Sequence, residues 1–431
     1  MSLYLGIDFG TSGARCAVID RQGQVQAEGR YPFNMAMVAD LPTCWHEALF
    51  AILGQIPLDI RKRIKAIAIN GTSATVMLCD RLGKPVDAPL LYNDARGADL
   101  LAQLKKIAPA NHTVLSATSS LVKLLWFSQL TSFSQAKYFL HQADWLGFLL
   151  HGKLGISDYH NALKLGYDVE KLEYPDWLTK FLKKLNSTVE LPKIFTPGEA
   201  VGTITPEIAT RFNFPPDCLI CAGTTDSIAA FLASGAKTPG EAVTSLGSTL
   251  AVKLLSRTYV EDTRYGIYSH RFPNFGQEQT QQEKDLWLVG GASNTGGAVL
   301  RHFFSNDELD SLSREIDAAK ISELDYYPLL KAGERFPVND ANLQPQLEPR
   351  PENNAEFLHG LLESIARIEA RGYKLLQQLG ADKLNRVYTA GGGATNTTWI
   401  AIRQRYLNVP VESSVNAEAA YGSALLAMGK T

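Results

Sequence analysis

The chain has 431 residues, 45% hydrophobic and 20% charged, with a net charge of −2. That length calls for two domains or three, since single cores rarely grow past roughly 250–300 residues, and the composition is that of a soluble globular enzyme. The charge balance leaves no basic excess to draw nucleic acid or anionic lipid.

The first strand begins at Leu3, too early for a signal or transit peptide, and no apolar run reaches the roughly 18 residues of a membrane span. The chain therefore reads as cytoplasmic, with no nucleic acid, membrane or protein partner evident. Of the five cysteines, only Cys218 and Cys221 are close in sequence. Without a second Cys or His pair they are better read as buried hydrophobes than as zinc ligands.

Leu3 to Asp8 reads as a strand, Gly10-Thr11-Ser12-Gly13 as a turn, and Arg15 to Asp20 as a second strand, with Val25 to Tyr31 a third, antiparallel one. Trp45 to Ile56 has helical spacing. Ile64 to Ile69 is a buried strand that ends in Asn70-Gly71-Thr72-Ser73, and Val76 to Asp80 is another strand. From about Ala95 to Leu150 the period is helical, with Leu124 to Phe127 read as core. From about Glu170 to Pro216 the chain is less regular and richer in Pro and Lys, which places the domain boundary near 215/216. Domains 1–215 and 216–431 follow.

The second half restarts with strand, turn and helix at Leu219. Two β-rich runs then meet at Gly247-Ser248-Thr249, and a strand, Gly-rich turn and helix span Leu286 to Phe304. Asp325 to Pro351 is proline-rich and expected to wrap the surface. Ala355 to Leu379 is a long amphipathic helix, Arg386 to Ala390 runs into Gly391-Gly392-Gly393, and Glu418 to Met428 closes the chain as a helix. The halves echo each other: Asp8-Phe9-Gly10-Thr11-Ser12 has its counterpart in Ser245-Leu246-Gly247-Ser248-Thr249.

Turns of this type can cradle phosphate, because glycine lets the backbone approach an anion while N–H and hydroxyl groups point inward. Asp8 would repel phosphate directly and makes sense if it holds Mg²⁺, which takes only one or two carboxylates. The competing reading is a plain hairpin turn. Asp226, in Gly223-Thr224-Thr225-Asp226-Ser227, stands where a strand ends and a helix begins, as a ligand-facing carboxylate or as a simple helix cap. No Walker sequence is present, so any nucleotide must be held chiefly by Gly/Ser/Thr turns.

Four segments in order resemble the FGGY family of carbohydrate kinases: Asp8 to Arg15, Gly223 to Asp226, Leu246 to Thr249, and Gly391 to Asn396 followed by Trp399. The resemblance covers nearly the whole chain. It implies an α/β fold of two RNase H-like domains of the actin and sugar-kinase ATPase superfamily, flanking a central cleft that closes to exclude water. The N-terminal domain would be the sugar-binding side with the first phosphate turn, and the C-terminal domain the ATP-binding side with the catalytic aspartate.

The resemblance also implies ATP and Mg²⁺ as cofactors and a small ketopentose as substrate. Asp226 would be the general base and Asp8 the Mg²⁺ ligand. Thr11, Ser12, Gly247, Ser248 and Thr249 would hold phosphate oxygens. Gly391, Gly392 and Gly393 would lie against the α-phosphate and ribose, with Asn396 at the adenine edge. On the sugar side stand Asp8, Ser12, Gly13, Ser73, Asn93, Asp94, Asp158 and Asp226. For Asn93, Asp94 and Asp158 a turn role is an equal reading, as an ion pair is for Arg15. His160 reads first as a satisfied histidine.

The Met-His-Gly loop of pentulose kinases is absent, with Asn70 to Thr75 in its place. Tyr92 to Arg96 resembles their Trp-Asn-Asp-x-Arg segment and Asp158 to Ala162 their Thr-Asp-x-Ser-Asn-Ala segment. Within the pentulose-kinase branch the chain is most similar to compact cyanobacterial and plastid proteins linked to D-ribulose phosphorylation. The expected activity is D-ribulose to D-ribulose 5-phosphate, with D-xylulose as the alternative. Readings of another class are an actin-like ATPase switch and a noncatalytic sugar-binding protein.

Overall fold

The run Leu3–Phe9 is almost wholly apolar, as expected for a strand covered on both faces. In the computed structural model, which describes all residues except 1, 34–39, 111, 186–188, 274–284, 430 and 431, it is the central strand of the first sheet. The described chain divides into two compact units. One holds Met1–Ala233 and the C-terminal Glu418–Thr431; the other holds Ser234–Phe272 and Gln279–Ala417.

The strands in chain order are β1 (Leu3–Phe9), β2 (Gly13–Asp20), β3 (Val25–Pro32), β4 (Ile64–Gly71), β5 (Val76–Cys79), β6 (Tyr138–His141), β7 (Ile156–Asp158), β8 (Lys193–Phe195), β9 (Ala200–Thr203), β10 (Leu219–Cys221) and β11 (Thr224–Thr225) in the first unit. The second contains β12 (Glu241–Leu246), β13 (Leu250–Ser256), β14 (Tyr268–Phe272), β15 (Leu286–Ala292), β16 (Arg386–Ala390) and β17 (Val411–Ser413).

The first unit's main sheet runs β3-β2-β1-β4-β10-β9, with β11 also on β4. Strands β1, β2 and β3 are antiparallel, and β4 joins β1 in parallel. The second unit's sheet runs β14-β15-β13-β12-β16-β17, with four antiparallel strands, β12, β13, β15 and β14, and a parallel partner, β16, beside the first of them. The echo between the halves is thus a repeated topology. In each unit a hairpin turn and a loop after the adjacent parallel strand end at the same edge. Both are mixed α/β units of the RNase H-like pattern.

The division falls at Ala233/Ser234, later in the chain than the expected 215/216, and the last helix belongs with the first unit. The cause is packing. Strand β10 pairs with β4, which ties residues 219–221 to the first sheet. The closing helix, Ala419–Met428, lies so close to β1 that a Cβ on Gly6 would stand 2.0 Å from the Ala420 carbonyl oxygen. On its other side a Cβ on Gly422 would stand 1.8 Å from the carbonyl of Ala229, in the helix Asp226–Ala233. Only glycine permits either approach.

Two expectations of local structure change. Tyr138–His141, inside the stretch read as helical, is a strand antiparallel to β5. The 325–351 segment carries no helix or strand of its own, yet it buries Tyr326, Leu329 and Phe336 and so contributes to the core. All five cysteines are free, and Cys221 is buried in β10. Among the described residues, no helix is long and apolar enough to cross a membrane.

Candidate active site

Strand register brings the two aspartates singled out from sequence to one sheet edge. Asp8 in β1 pairs with Asn70 in β4, and Asn70 pairs on its other side with Thr224 in β11. At strand spacings of about 4.8 Å, Asp8 and Thr224 lie roughly 10 Å apart in backbone. Asp226 follows two residues later, as the first residue of the helix Asp226–Ala233. Its Oδ1 accepts the Ser227 backbone N–H at 2.6 Å, so the capping chemistry is present. It is also only half-buried, and its charge acts on Asp8.

Asp8 is the more unusual of the two. Burial first, then the charges of Asp226 and Glu418, push its carboxyl up to about 7 against the opposing pull of Arg15. Its Oδ1 is buried without a hydrogen-bond donor. A divalent cation fits an acceptor of this kind among crowded carboxylates. Among the described residues no group of three or more His, Cys, Asp or Glu could hold a metal by itself, so such an ion would depend on Asp8, water and phosphate. Arg15 forms an exposed ion pair with Glu418 at 2.6 Å rather than a buried one.

The turn after β1 is closed by Gly10 N–H donating to the Gly13 carbonyl at 3.0 Å, leaving Thr11 and Ser12 exposed and Gly13 half-buried. Beside it runs the loop after β4. Thr72 and Thr75 hydrogen-bond each other at 2.5 Å, and Thr72 N–H donates to Gln142 Oε1 at 3.0 Å. Ser73 is half-buried, and Ala74 takes a left-handed φ of 63°, which a non-glycine residue adopts only when its surroundings enforce it.

Ala74 stands third in the turn closed by Thr75 N–H donating to the Thr72 carbonyl at 3.1 Å, where a positive φ is usual, and a side chain that holds this turn was not picked out from sequence. Lys123, 1% exposed, donates its ammonium to the carbonyls of Ala74 at 2.7 Å and Leu91 at 2.6 Å. It thereby ties the 72–75 loop to the segment holding Asn93 and Asp94. Asn93 is exposed. Asp94 is paired with Arg96 at 2.7 Å, and Arg96 lies over the Trp126 ring. Burial raises the Asp94 carboxyl, but the Arg96 hydrogen bonds and the charges of Arg96 and Lys123 outweigh it and hold it below the usual range.

Asp158 takes the turn role that the sequence left open beside sugar contact. It is 1% exposed, its Oδ1 accepts the backbone N–H groups of His160 and Asn161, and its Oδ2 accepts the Asn161 side chain at 2.6 Å. Burial and then the Asp144 charge push it up to about 7 against those hydrogen bonds. The structure makes it a helix cap. His160 is buried and meets Thr224 Oγ1 at 2.8 Å, the satisfied histidine expected of it.

The second unit assembles its own set. Ser245 pairs with Ala390, so Gly391 falls beside the end of β12. Gly391 has φ 87°, and a Cβ on it would stand 2.7 Å from the Leu246 carbonyl oxygen. Gly247, Ser248 and Thr249 therefore lie against Gly391, Gly392 and Gly393, with Ser248, Thr249 and Gly392 exposed. Asn396 is again otherwise engaged: its Oδ1 caps the helix Thr397–Leu407 through Trp399 N–H at 2.9 Å, and its Nδ2 donates to Ser313 at 2.8 Å.

Beneath this surface Arg403 and Glu369, both buried, pair at 2.7 Å. Arg403 also donates to Thr389, and Glu369 accepts from Thr244. This network under the β12–β16 edge had no signal in the sequence, because Glu369 and Arg403 are two charges among several in amphipathic helices.

The sequence profile of the FGGY family of carbohydrate kinases matches through its N-terminal domain at residues 3–233 and through its C-terminal domain at 242–430. The chain belongs to this family. It is a sugar kinase, an enzyme of the class that uses ATP. A curated relative, the xylulose kinase of Staphylococcus xylosus, is 22% identical over 453 residues, covering 99% of this chain and 90% of its own. The solved xylulose kinase from Rhodospirillum rubrum has a TM-score of 0.83 at 20% identity, covering 99% of this chain and 89% of that one. The Plasmodium falciparum glycerol kinase with ADP has a TM-score of 0.82 at 18% identity, with the same coverages of 99% and 89%. Xylulose and glycerol kinases thus share the fold, and fold alone does not choose the sugar.

Proposed function

We propose that this FGGY kinase transfers the γ-phosphoryl group of Mg·ATP to a ketopentose, with D-ribulose as acceptor and D-ribulose 5-phosphate as product. The observation that carries the reading is the Asp8–Asn70–Thr224 row with Asp226 at its end, two carboxylates at one sheet edge that act on each other's charge.

Asp226 accepts the proton of the sugar hydroxyl as that oxygen bonds to the γ-phosphorus and the bridging P–O bond to ADP breaks. Asp8 is the residue that would hold Mg²⁺, and the ion when bound neutralises charge on the phosphates. Thr11 and Ser12 offer hydroxyl donors to phosphate, as do Ser248 and Thr249. Gly391 to Gly393 leave open backbone for the nucleotide, and a Cβ on Gly392 would meet no atom within 4 Å. Ser73, Asn93 and Asp94 face the acceptor sugar, in segments that Lys123 holds together.

The preference for D-ribulose rests on the resemblance to the compact branch linked to D-ribulose phosphorylation, through a short chain combined with Asn70 to Thr75 where pentulose kinases carry Met-His-Gly. D-xylulose is the second reading, favoured by relatives named xylulose kinase. The test is ADP release from Mg·ATP across D-ribulose, L-ribulose, D-xylulose, L-xylulose, ribitol and glycerol, with a no-sugar control. Strong stimulation by D-ribulose supports the proposal, and stimulation by D-xylulose alone moves the assignment to that sugar. Hydrolysis indifferent to every sugar contradicts the proposal and favours an ATPase switch.

A further inference from the structure

We infer that Arg301 is a phosphate-binding residue for the nucleotide, contacting the polyphosphate of ATP and ADP beside the Gly247-Ser248-Thr249 turn. The inference rests on the reading of that turn as a phosphate cradle.

Arg301 belongs to the helix Gly297–Phe303, which is fixed against the turn by backbone: Gly297 N–H donates to the Gly247 carbonyl at 2.9 Å and Ala298 N–H to the Ser248 carbonyl at 3.0 Å. From one turn further along, the Arg301 side chain reaches back, and its Nη2 donates to Ser248 Oγ at 3.2 Å. Its Nη1 lies 3.0 Å from where a Cβ on Gly297 would stand, so the guanidinium lies over the point where helix and turn meet.

The arrangement is rich in donors and poor in acceptors. Arg301 is exposed, and among the described residues no carboxylate pairs with it. Ser248 uses its oxygen to accept from Arg301, which leaves its hydroxyl proton for an outside acceptor. Thr249 is exposed beside it. A fixed cation with spare N–H groups next to two exposed hydroxyls fits a phosphate oxygen pair, which guanidinium meets in a two-pronged geometry. The chain has no Walker lysine to supply that charge, and the turn itself is neutral.

The test is equilibrium binding of Mg·ATP, ADP and adenosine to the full chain and to its Arg301→Ala and Arg301→Lys variants, alongside melting curves without nucleotide. Charge-assisted hydrogen bonds of this kind correspond to about 10- to 100-fold in affinity. ATP and ADP should bind Arg301→Ala weaker by that factor and Arg301→Lys by less, while adenosine affinity, sugar KM and melting midpoint stay at parent values. ATP affinity of Arg301→Ala within about threefold of the parent overturns the inference while leaving the nucleotide reading intact. Equal weakening of adenosine and ATP with a lowered melting midpoint in both variants also overturns it, by making the role structural. A parent protein that binds no ATP overturns the underlying reading, and that is seen without any variant.

Discussion

Of the charged groups around Asp8, Asp226 acts on it most strongly; Asp8 pairs with Asn70 on one side, and Thr224, two residues before Asp226, pairs with Asn70 on the other. Two carboxylates held this way cannot both ionise freely. The arrangement stores an electrostatic cost that a cation or a proton relieves.

Removing Asp226 tests the base role. Asp226→Ala should lower sugar-dependent ADP release by about 10²- to 10⁴-fold, the usual contribution of a positioned base. Nucleotide affinity should be nearly unchanged, since Gly247 to Thr249 and Gly391 to Gly393 belong to the other unit. Because Asp226 raises the Asp8 carboxyl, Asp226→Asn should also shift the Asp8 titration downward. Turnover within about tenfold of the parent would remove Asp226 from the base role.

Asp8 makes a prediction of opposite sign for stability and activity. Its carboxyl is raised from 3.8 to about 7 in the folded protein. The folded state therefore holds that proton more tightly than the unfolded chain, and stability falls as pH rises from about 4 to about 7. At pH 8 the ionised group costs on the order of 4 kcal/mol, from 1.36 kcal/mol for each of about three pH units. Asp8→Asn in metal- and nucleotide-free protein should raise the melting midpoint at pH 8, and the gain should shrink toward pH 5. The same variant should lose Mg²⁺-dependent transfer. A variant that melts below the parent at pH 8, or stays active without Mg²⁺, contradicts the assignment.

The parts of this site written in local chemistry were legible in the sequence. Gly10 to Gly13 and Gly247 to Thr249 are turns between apolar strands, and their residue types alone mark them. Asp226 could be seen at a strand–helix junction. What sequence left out depends on distant contacts. Gly6 and Gly422 make room for a helix that returns from the chain's end, Gly6 against that helix and Gly422 from within it against Ala229, so the unit boundary was drawn without it. Lys123 reads as one charge in an aromatic helix, and only its burial against two carbonyls shows its work. Asp158 and Asn396 carry side chains that suit sugar and adenine equally well, and a cap looks the same as a ligand until the partners are seen. Tyr138–His141 is too short to show a period against its helical neighbours.

The closing helix yields a contrast between two glycines. Gly422→Ala would put a methyl group 1.8 Å from the Ala229 carbonyl, forcing two helices apart. The expected loss is about 3 kcal/mol or more, read as a lower denaturation midpoint. Gly54 lies in the helix Leu41–Gln55 with nothing within 4 Å of a Cβ, so Gly54→Ala should gain about 0.5–1 kcal/mol from helix propensity. Equal effects of the two substitutions would contradict this account of the packing.

Lys123 links stability to sugar recognition. Lys123→Met keeps the apolar stem but leaves the carbonyls of Ala74 and Leu91 without their buried donor. An unsatisfied buried acceptor costs about 1–3 kcal/mol, partly offset here because a buried charge is removed as well. A net loss of about 1–3 kcal/mol follows. Freed of its clamp, Ala74 should leave its left-handed conformation, and Ser73 and the 92–96 segment should lose their common frame. The KM for the sugar should then rise about tenfold or more while the KM for ATP stays near the parent value, because the Gly247 to Thr249 and Gly391 to Gly393 turns belong to the other unit. Steady-state kinetics with each substrate varied in turn decide the matter. Parallel rises in both constants would mean a general loss of fold, and an unchanged sugar KM would mean the loop holds its shape without Lys123.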